Sequence, residues 1–96
     1  MSLADGSRPR LVSWARLRRD DVRGQTMLLY PEKGLALSET GAAILALCRE
    51  GHTVAEIVAT LAARYGAPTT TVDLDVRAFL ESLRTRGLLE LEGPAA

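Results

Sequence analysis

The sequence predicts an α+β fold, with a small antiparallel β-sheet at the N-terminal end and a three-helix bundle containing a helix-turn-helix after it. Three observations carry this reading. Residues 11–37 hold nearly all the strand signals, and residues 38–87 hold three amphipathic stripes. Each stripe runs into a glycine (Gly51, Gly66 or Gly87), and glycine accepts the left-handed backbone that closes a helix. The chain has 96 residues, 47% of them apolar and 25% charged, which suits one folded core and leaves no room for two.

The strands come first. Trp14 to Arg18 alternates large and polar side chains, and Gln25 to Tyr30 is an apolar run of strand-forming residues. Pro31-Glu32-Lys33-Gly34 reads as a turn, with proline where its fixed φ helps, and Gly34–Leu37 returns as a short strand.

The first helix begins after Ser38, a capping residue followed by the acid Glu39. Its apolar side is Ile44, Leu45, Leu47 and Cys48. Thr53-Val54-Ala55-Glu56 is a capping box for the second helix, whose stripe is Val54, Ile57, Val58, Leu61, Ala62 and Tyr65. Pro68 ends that helix, and Thr69-Thr70-Thr71 supplies a cap for the third, with Asp73 as a weaker box partner of Thr70. Along the third helix the apolar stripe is Val72, Val76, Phe79, Leu80 and Leu83, centred on Val72, Val76, Phe79 and Leu83, while Leu80, Asp73, Arg84 and Arg77 step progressively to one side. Leu88–Glu92 adds a short extended piece. Helices two and three beside a small sheet make a winged-helix-like arrangement. Residues 1–10 read as a flexible N-terminal tail, 11–92 as the single domain, and 93–96 as a short C-terminal tail.

Composition narrows the function. Twelve basic residues balance twelve acidic ones, which argues against binding nucleic acid or anionic lipid by bulk charge. One cysteine and one histidine exclude an internal disulfide and a Cys/His metal cluster. No apolar run approaches the roughly 20 residues that span a bilayer, and the N-terminus lacks a signal-like apolar region, so a cytoplasmic address without membrane attachment is expected. No phosphate loop, nucleophile elbow or Cys-x-x-Cys is present. Cys48 belongs to an apolar stripe, His52 to a turn, and Asp20-Asp21 to a loop where adjacent carboxylates solvate separately. No catalytic residue, metal or cofactor is therefore expected.

Residues 8–23 carry six arginines (Arg8, Arg10, Arg16, Arg18, Arg19, Arg23) against Asp20 and Asp21, a local charge of +4. Such a patch suits phosphates, an acidic partner or simply a solvated strand edge. Arg16, Arg18 and Arg19 are the candidate partner-docking residues. The shoulder of the third helix, apolar at its floor and charged at its lip, would form a groove with a neighbouring strand. An extended peptide would enter there by adding a strand to the hairpin edge.

Taken in order, Pro9-Arg10-Leu11, Leu28 through Gly34, Leu37 through Leu45, Cys48, Thr53 through Ile57, Asp75 through Leu80, Leu83 and Gly87-Leu88-Leu89 resemble the PqqD family of pyrroloquinoline quinone (PQQ) biosynthesis. The resemblance covers about residues 9–91; Ser38 stands where many relatives carry asparagine, and both residues cap helices. It implies a non-catalytic peptide chaperone that binds the precursor peptide PqqA and presents it to the radical SAM enzyme PqqE. It also implies that the leader segment pairs with the third strand and packs on the third helix. Here those elements are Gly34, Leu35, Ala36 and Leu37, with Asp73, Val76, Arg77, Leu80 and Arg84. The hairpin and N-terminal arm are compatible with a homodimer formed by exchange between protomers. The alternative is a winged-helix DNA-binding regulator. Three acids on its recognition helix, Asp73, Asp75 and Glu81, count against it. A small enzyme of the same pathway has least support.

Overall fold

The computed structural model describes residues 3–92. Five strands and three helices follow in the order β1 (Arg8–Leu11), β2 (Arg16–Asp20), β3 (Gln25–Tyr30), β4 (Lys33–Leu37), α1 (Glu39–Arg49), α2 (Val54–Tyr65), α3 (Thr69–Thr85) and β5 (Leu89–Glu92). The mixed α+β class agrees with the sequence. The strands form two sheets, an antiparallel β2-β3-β4 meander and a separate β1-β5 pair.

The second sheet corrects the reading of residues 1–10 as a tail. Arg8 to Leu11 pairs with Glu92 to Leu89, and Arg10 reaches Glu90 at 3.2 Å and Glu92 at 2.7 Å. Further upstream, Leu3 is buried, and the carbonyls of Asp5 and Ser7 accept the N–H groups of Ala55 and Val54 at 3.0 and 2.9 Å. The first turn of a helix leaves N–H groups without partners inside the helix, so a neighbouring chain offering carbonyls is held there. The pairing spans some eighty residues, beyond the reach of any local sequence signal. The short tail expected at 93–96 lies outside the described residues.

Helix boundaries follow the caps. Ser38 Oγ accepts the Gly41 N–H at 3.0 Å, and Thr53 and Glu56 complete the predicted capping box at 2.8 and 3.1 Å. Helix α2 closes on Gly66 at φ 60°. The threonine cap expected for α3 is not used. Pro68 is the N-cap, with extended dihedrals of −58° and 134°, and Thr69 to Thr71 already lie inside the helix.

The core lies between the three helices and the inner face of the meander. Leu28, Leu45, Val54, Ile57, Leu61 and Leu80 are fully enclosed. Burying each large aliphatic side chain stabilises the fold by about 1.5–3 kcal/mol. Leu80 belongs to this core with Val72, Val76 and Leu83, as its place in the apolar stripe predicts, and not to the groove shoulder, while Phe79 is only partly buried. No helix among the described residues is long and apolar enough to cross a membrane.

Candidate functional site: the free margin of the meander

Strand β4 is hydrogen-bonded to β3 on one side only, so its other margin is open among the described residues. The hairpin geometry decides what that margin offers. Tyr30 pairs with Lys33 across the two-residue loop Pro31-Glu32, with Glu32 at φ 61°. Across so short a loop the closing pair must be the hydrogen-bonded kind, and the two kinds alternate along an antiparallel ladder. Leu28↔Leu35 and Thr26↔Leu37 are therefore hydrogen-bonded pairs. The N–H and C=O groups of Gly34 and Ala36, opposite Leu29 and Met27, point away from β3.

Side chains divide the other way. Leu37 is buried and Leu35 packs against the core, while Gly34 and Ala36 are exposed. A Cβ at Gly34 would come within 3.3 Å of Leu29 Cδ2, so glycine here lets the outer face of the sheet close over Leu29 and Met27. The strand is anchored by its inward leucines and free along its main chain.

The sequence-predicted residues of α3 do not gather beside this strand. Val76 and Leu80 lie in the core, at 1% and 0% exposure, and present no surface. Arg77 donates to Asp73 Oδ1 at 2.9 Å, to the Leu3 carbonyl and to the Asp5 carboxylate. These bonds hold its guanidinium charged and push its pKa above the ordinary arginine value, the Asp73 hydrogen bond contributing most. The Asp73–Arg77 flank thus clamps the N-terminal segment, and Arg84 pairs with Glu81 at 3.1 Å. Phe79 sits on the other side of the buried stripe. A Cβ placed on Gly41 would fall 2.9 Å from Phe79 Cε1 and 3.3 Å from Ser38 Oγ. Phe79 therefore reaches the first turn of α1, directly after β4. Helical periodicity alone puts Phe79 in the core stripe and the groove wall on the opposite flank. Gly41, just inside a capped helix, was the signal for a close helix–helix approach.

The three arginines proposed for partner docking do not share a face. Arg16 and Arg18 stand opposite Leu29 and Met27, whereas Arg19 stands opposite Thr26 on the other side of the sheet, 3.8 Å from Asp21. Asp20 is a turn former, its Oδ1 accepting the N–H groups of Val22 and Arg23 at 3.1 and 3.2 Å. His52 bridges Glu50 and Glu56 at 3.3 and 3.5 Å. Burial pushes the Cys48 thiol up to about 12.

Comparison with known proteins decides the family. Residues 25–89 match the family described as coenzyme PQQ synthesis protein D (PqqD). The chain belongs to the PqqD family. A PqqA binding protein of Rhodopseudomonas palustris (strain HaA2) is 38% identical over 89 residues, covering 93% of this chain and 87% of that one. Among solved structures, the PqqD truncation of Methylobacterium extorquens PqqCD superposes with a TM-score of 0.75 at 34% identity, over 85% of this chain and 87% of that one. That protein is a functional, stand-alone recognition element for ribosomally synthesized and post-translationally modified peptides (RiPPs). Lasso peptide synthetase B1, solved in complex with the leader peptide, gives a TM-score of 0.77 at 25% identity, over 86% of this chain and 98% of that one. This PqqD-family chain and these two solved structures therefore share one α+β architecture.

Proposed function

We propose that this PqqD-family chain is a non-catalytic peptide chaperone of PQQ biosynthesis that binds the precursor peptide PqqA by strand addition at β4. The observation that carries the reading is the outward-facing main chain of Gly34 and Ala36 on an uncovered strand. It is supported by a PqqA binding protein among the relatives and a leader-peptide complex among the structural neighbours. Two residues offer two N–H donors and two C=O acceptors, each bond worth about 0.5–1.5 kcal/mol net. Ordering a flexible peptide opposes this gain, which keeps binding reversible enough for delivery.

Of the nine residues expected at the site, Gly34, Leu35, Ala36 and Leu37 remain the strand platform. On the helix side the Phe79 flank replaces Asp73, Arg77 and Arg84 as the surface against which peptide side chains pack. In this reading the loaded chaperone presents PqqA to the radical SAM enzyme PqqE in the cytoplasm. Arg16 and Arg18 form the candidate docking patch for that enzyme, without Arg19. The DNA-regulator alternative has less support, since Arg77 and Arg84 are paired to acids of their own helix.

Titration of synthetic PqqA into isotopically labelled protein tests the assignment. Amide shifts are expected at residues 34–37 and around Phe79. Shifts confined to residues 8–23 would remove β4 as the site.

A further inference from the structure

On the opposite margin of the meander, a cleft of about 420 Å³ opens between β1, β2 and the C-terminal end of α1. Arg8, Arg10, Arg16 and Arg49 surround it, Leu11 and Leu17 contribute apolar wall, and Glu92 is its one acidic lining residue. The four arginines are unequally engaged. Arg8 Nε donates to the Gly51 carbonyl at 3.2 Å, which fixes the group and leaves its remaining N–H donors free. Arg10 is neutralised by Glu90 and Glu92. Neither Arg16 nor Arg49 has an acidic partner within 4.0 Å among the described residues. The chain as a whole is neutral, so this is a concentration of positive charge that the rest of the surface balances with negative charge.

From this arrangement we infer that the cleft docks an acidic polypeptide segment, two or more of whose carboxylates meet Arg8 and Arg49, and Arg16 at the rim it shares with the outer cleft beside Trp14, while its aliphatic stems lie on Leu11 and Leu17. Guanidinium forks pair with carboxylates in bidentate geometry, and a partly apolar wall strengthens such pairs by excluding water. The size of the patch argues against nucleic acid. A duplex carries a charge every ~1.7 Å, and its backbone would meet Glu92 inside the cleft and Glu90 in the smaller adjoining cleft beside Arg10 and Leu11. Both β1 and β2 are edge strands, so an extended segment could also reach unpaired main chain there. The cleft and β4 lie on opposite margins of the meander, so one chain has room for two different polypeptides at once. This inference does not depend on the peptide assigned to β4, and it shares only Arg16 with the enzyme-docking patch.

A capped hexaglutamate peptide, titrated into the full chain and followed by amide shifts and by Trp14 fluorescence, tests it. Trp14 shares a smaller cleft with Arg16 and is the chain's one tryptophan. Shifts should cluster at residues 8–17 and 48–51 and leave 34–37 unmoved. The double variant Arg16→Ala/Arg49→Ala should bind at least about tenfold more weakly, and raising salt should weaken the wild type. Because shift mapping uses the unaltered chain, it stands whether or not the variant folds. Absence of shifts at millimolar peptide, shifts centred on β4, or equal binding by a folded double variant would overturn the docking site. Citrate binding as tightly as hexaglutamate, or a short DNA duplex binding more tightly, would overturn the polypeptide assignment.

Discussion

Phe79 lies so close to Gly41 that a single added methyl carbon would stand 2.9 Å from its ring. This contact joins α3 to the first turn of α1 and brings the Phe79 flank beside the end of β4. Replacing Gly41 with alanine should gain about 0.5–1 kcal/mol of helix propensity but lose about 1–3 to overpacking. A net loss near 1 kcal/mol is expected in urea denaturation. Adding Phe79→Ala should relieve the clash, so that the two substitutions couple favourably. A Gly41→Ala chain as stable as the parent would show that the approach is looser than described.

Ala36→Pro should weaken PqqA binding by about tenfold or more while leaving the fold intact. Its N–H points out of the sheet, so proline removes a donor that only an added strand would use. Leu35→Pro should instead disrupt the hairpin, because that N–H belongs to the ladder with Leu28. Isothermal calorimetry and circular dichroism together separate the two effects.

Arg77→Ala should release the N-terminal segment. The expected signature is faster amide exchange at Val54 and Ala55, whose N–H groups bond the Ser7 and Asp5 carbonyls, with about 1–2 kcal/mol of lost stability. Peptide affinity should change less than about twofold. A large loss of affinity with normal exchange at Val54 and Ala55 would return the Asp73–Arg77 flank to the peptide site.

Cys48 is 3% exposed, and burial raises its pKa from 9.0 to about 12. A thiol shifted upward on folding favours the folded state below about pH 9 and loses that contribution as pH rises towards 12. At pH 8 the native chain should react with a disulfide reagent only as fast as it opens, whereas unfolded chain should react at once. Complete labelling of native protein within seconds would contradict this burial.

Elements whose causes are local are legible along the chain. Ser38 and the Thr53–Glu56 box set helix starts, glycines set helix ends, and the turn signal at Pro31–Gly34 places the hairpin, although the strand begins at Lys33 and its pairing register shows that Gly34 and Ala36 face outward. The sequence also carries the family resemblance, because an ordered set of caps, turns and apolar positions survives substitution at most individual sites. Which side of each element faces a partner is set by packing between segments far apart in the chain. Periodicity locates the centre of a buried stripe to within a residue, and that uncertainty exchanges Phe79 with Leu80 and one flank of α3 with the other. Periodicity makes Arg77 a groove residue, whereas Leu3 and Asp5, more than seventy positions away, engage its guanidinium. The same distance hid β1, whose partner strand β5 lies at the far end of the domain. Pairings of that span depend on the global packing of the chain, and no window of neighbouring residues encodes them.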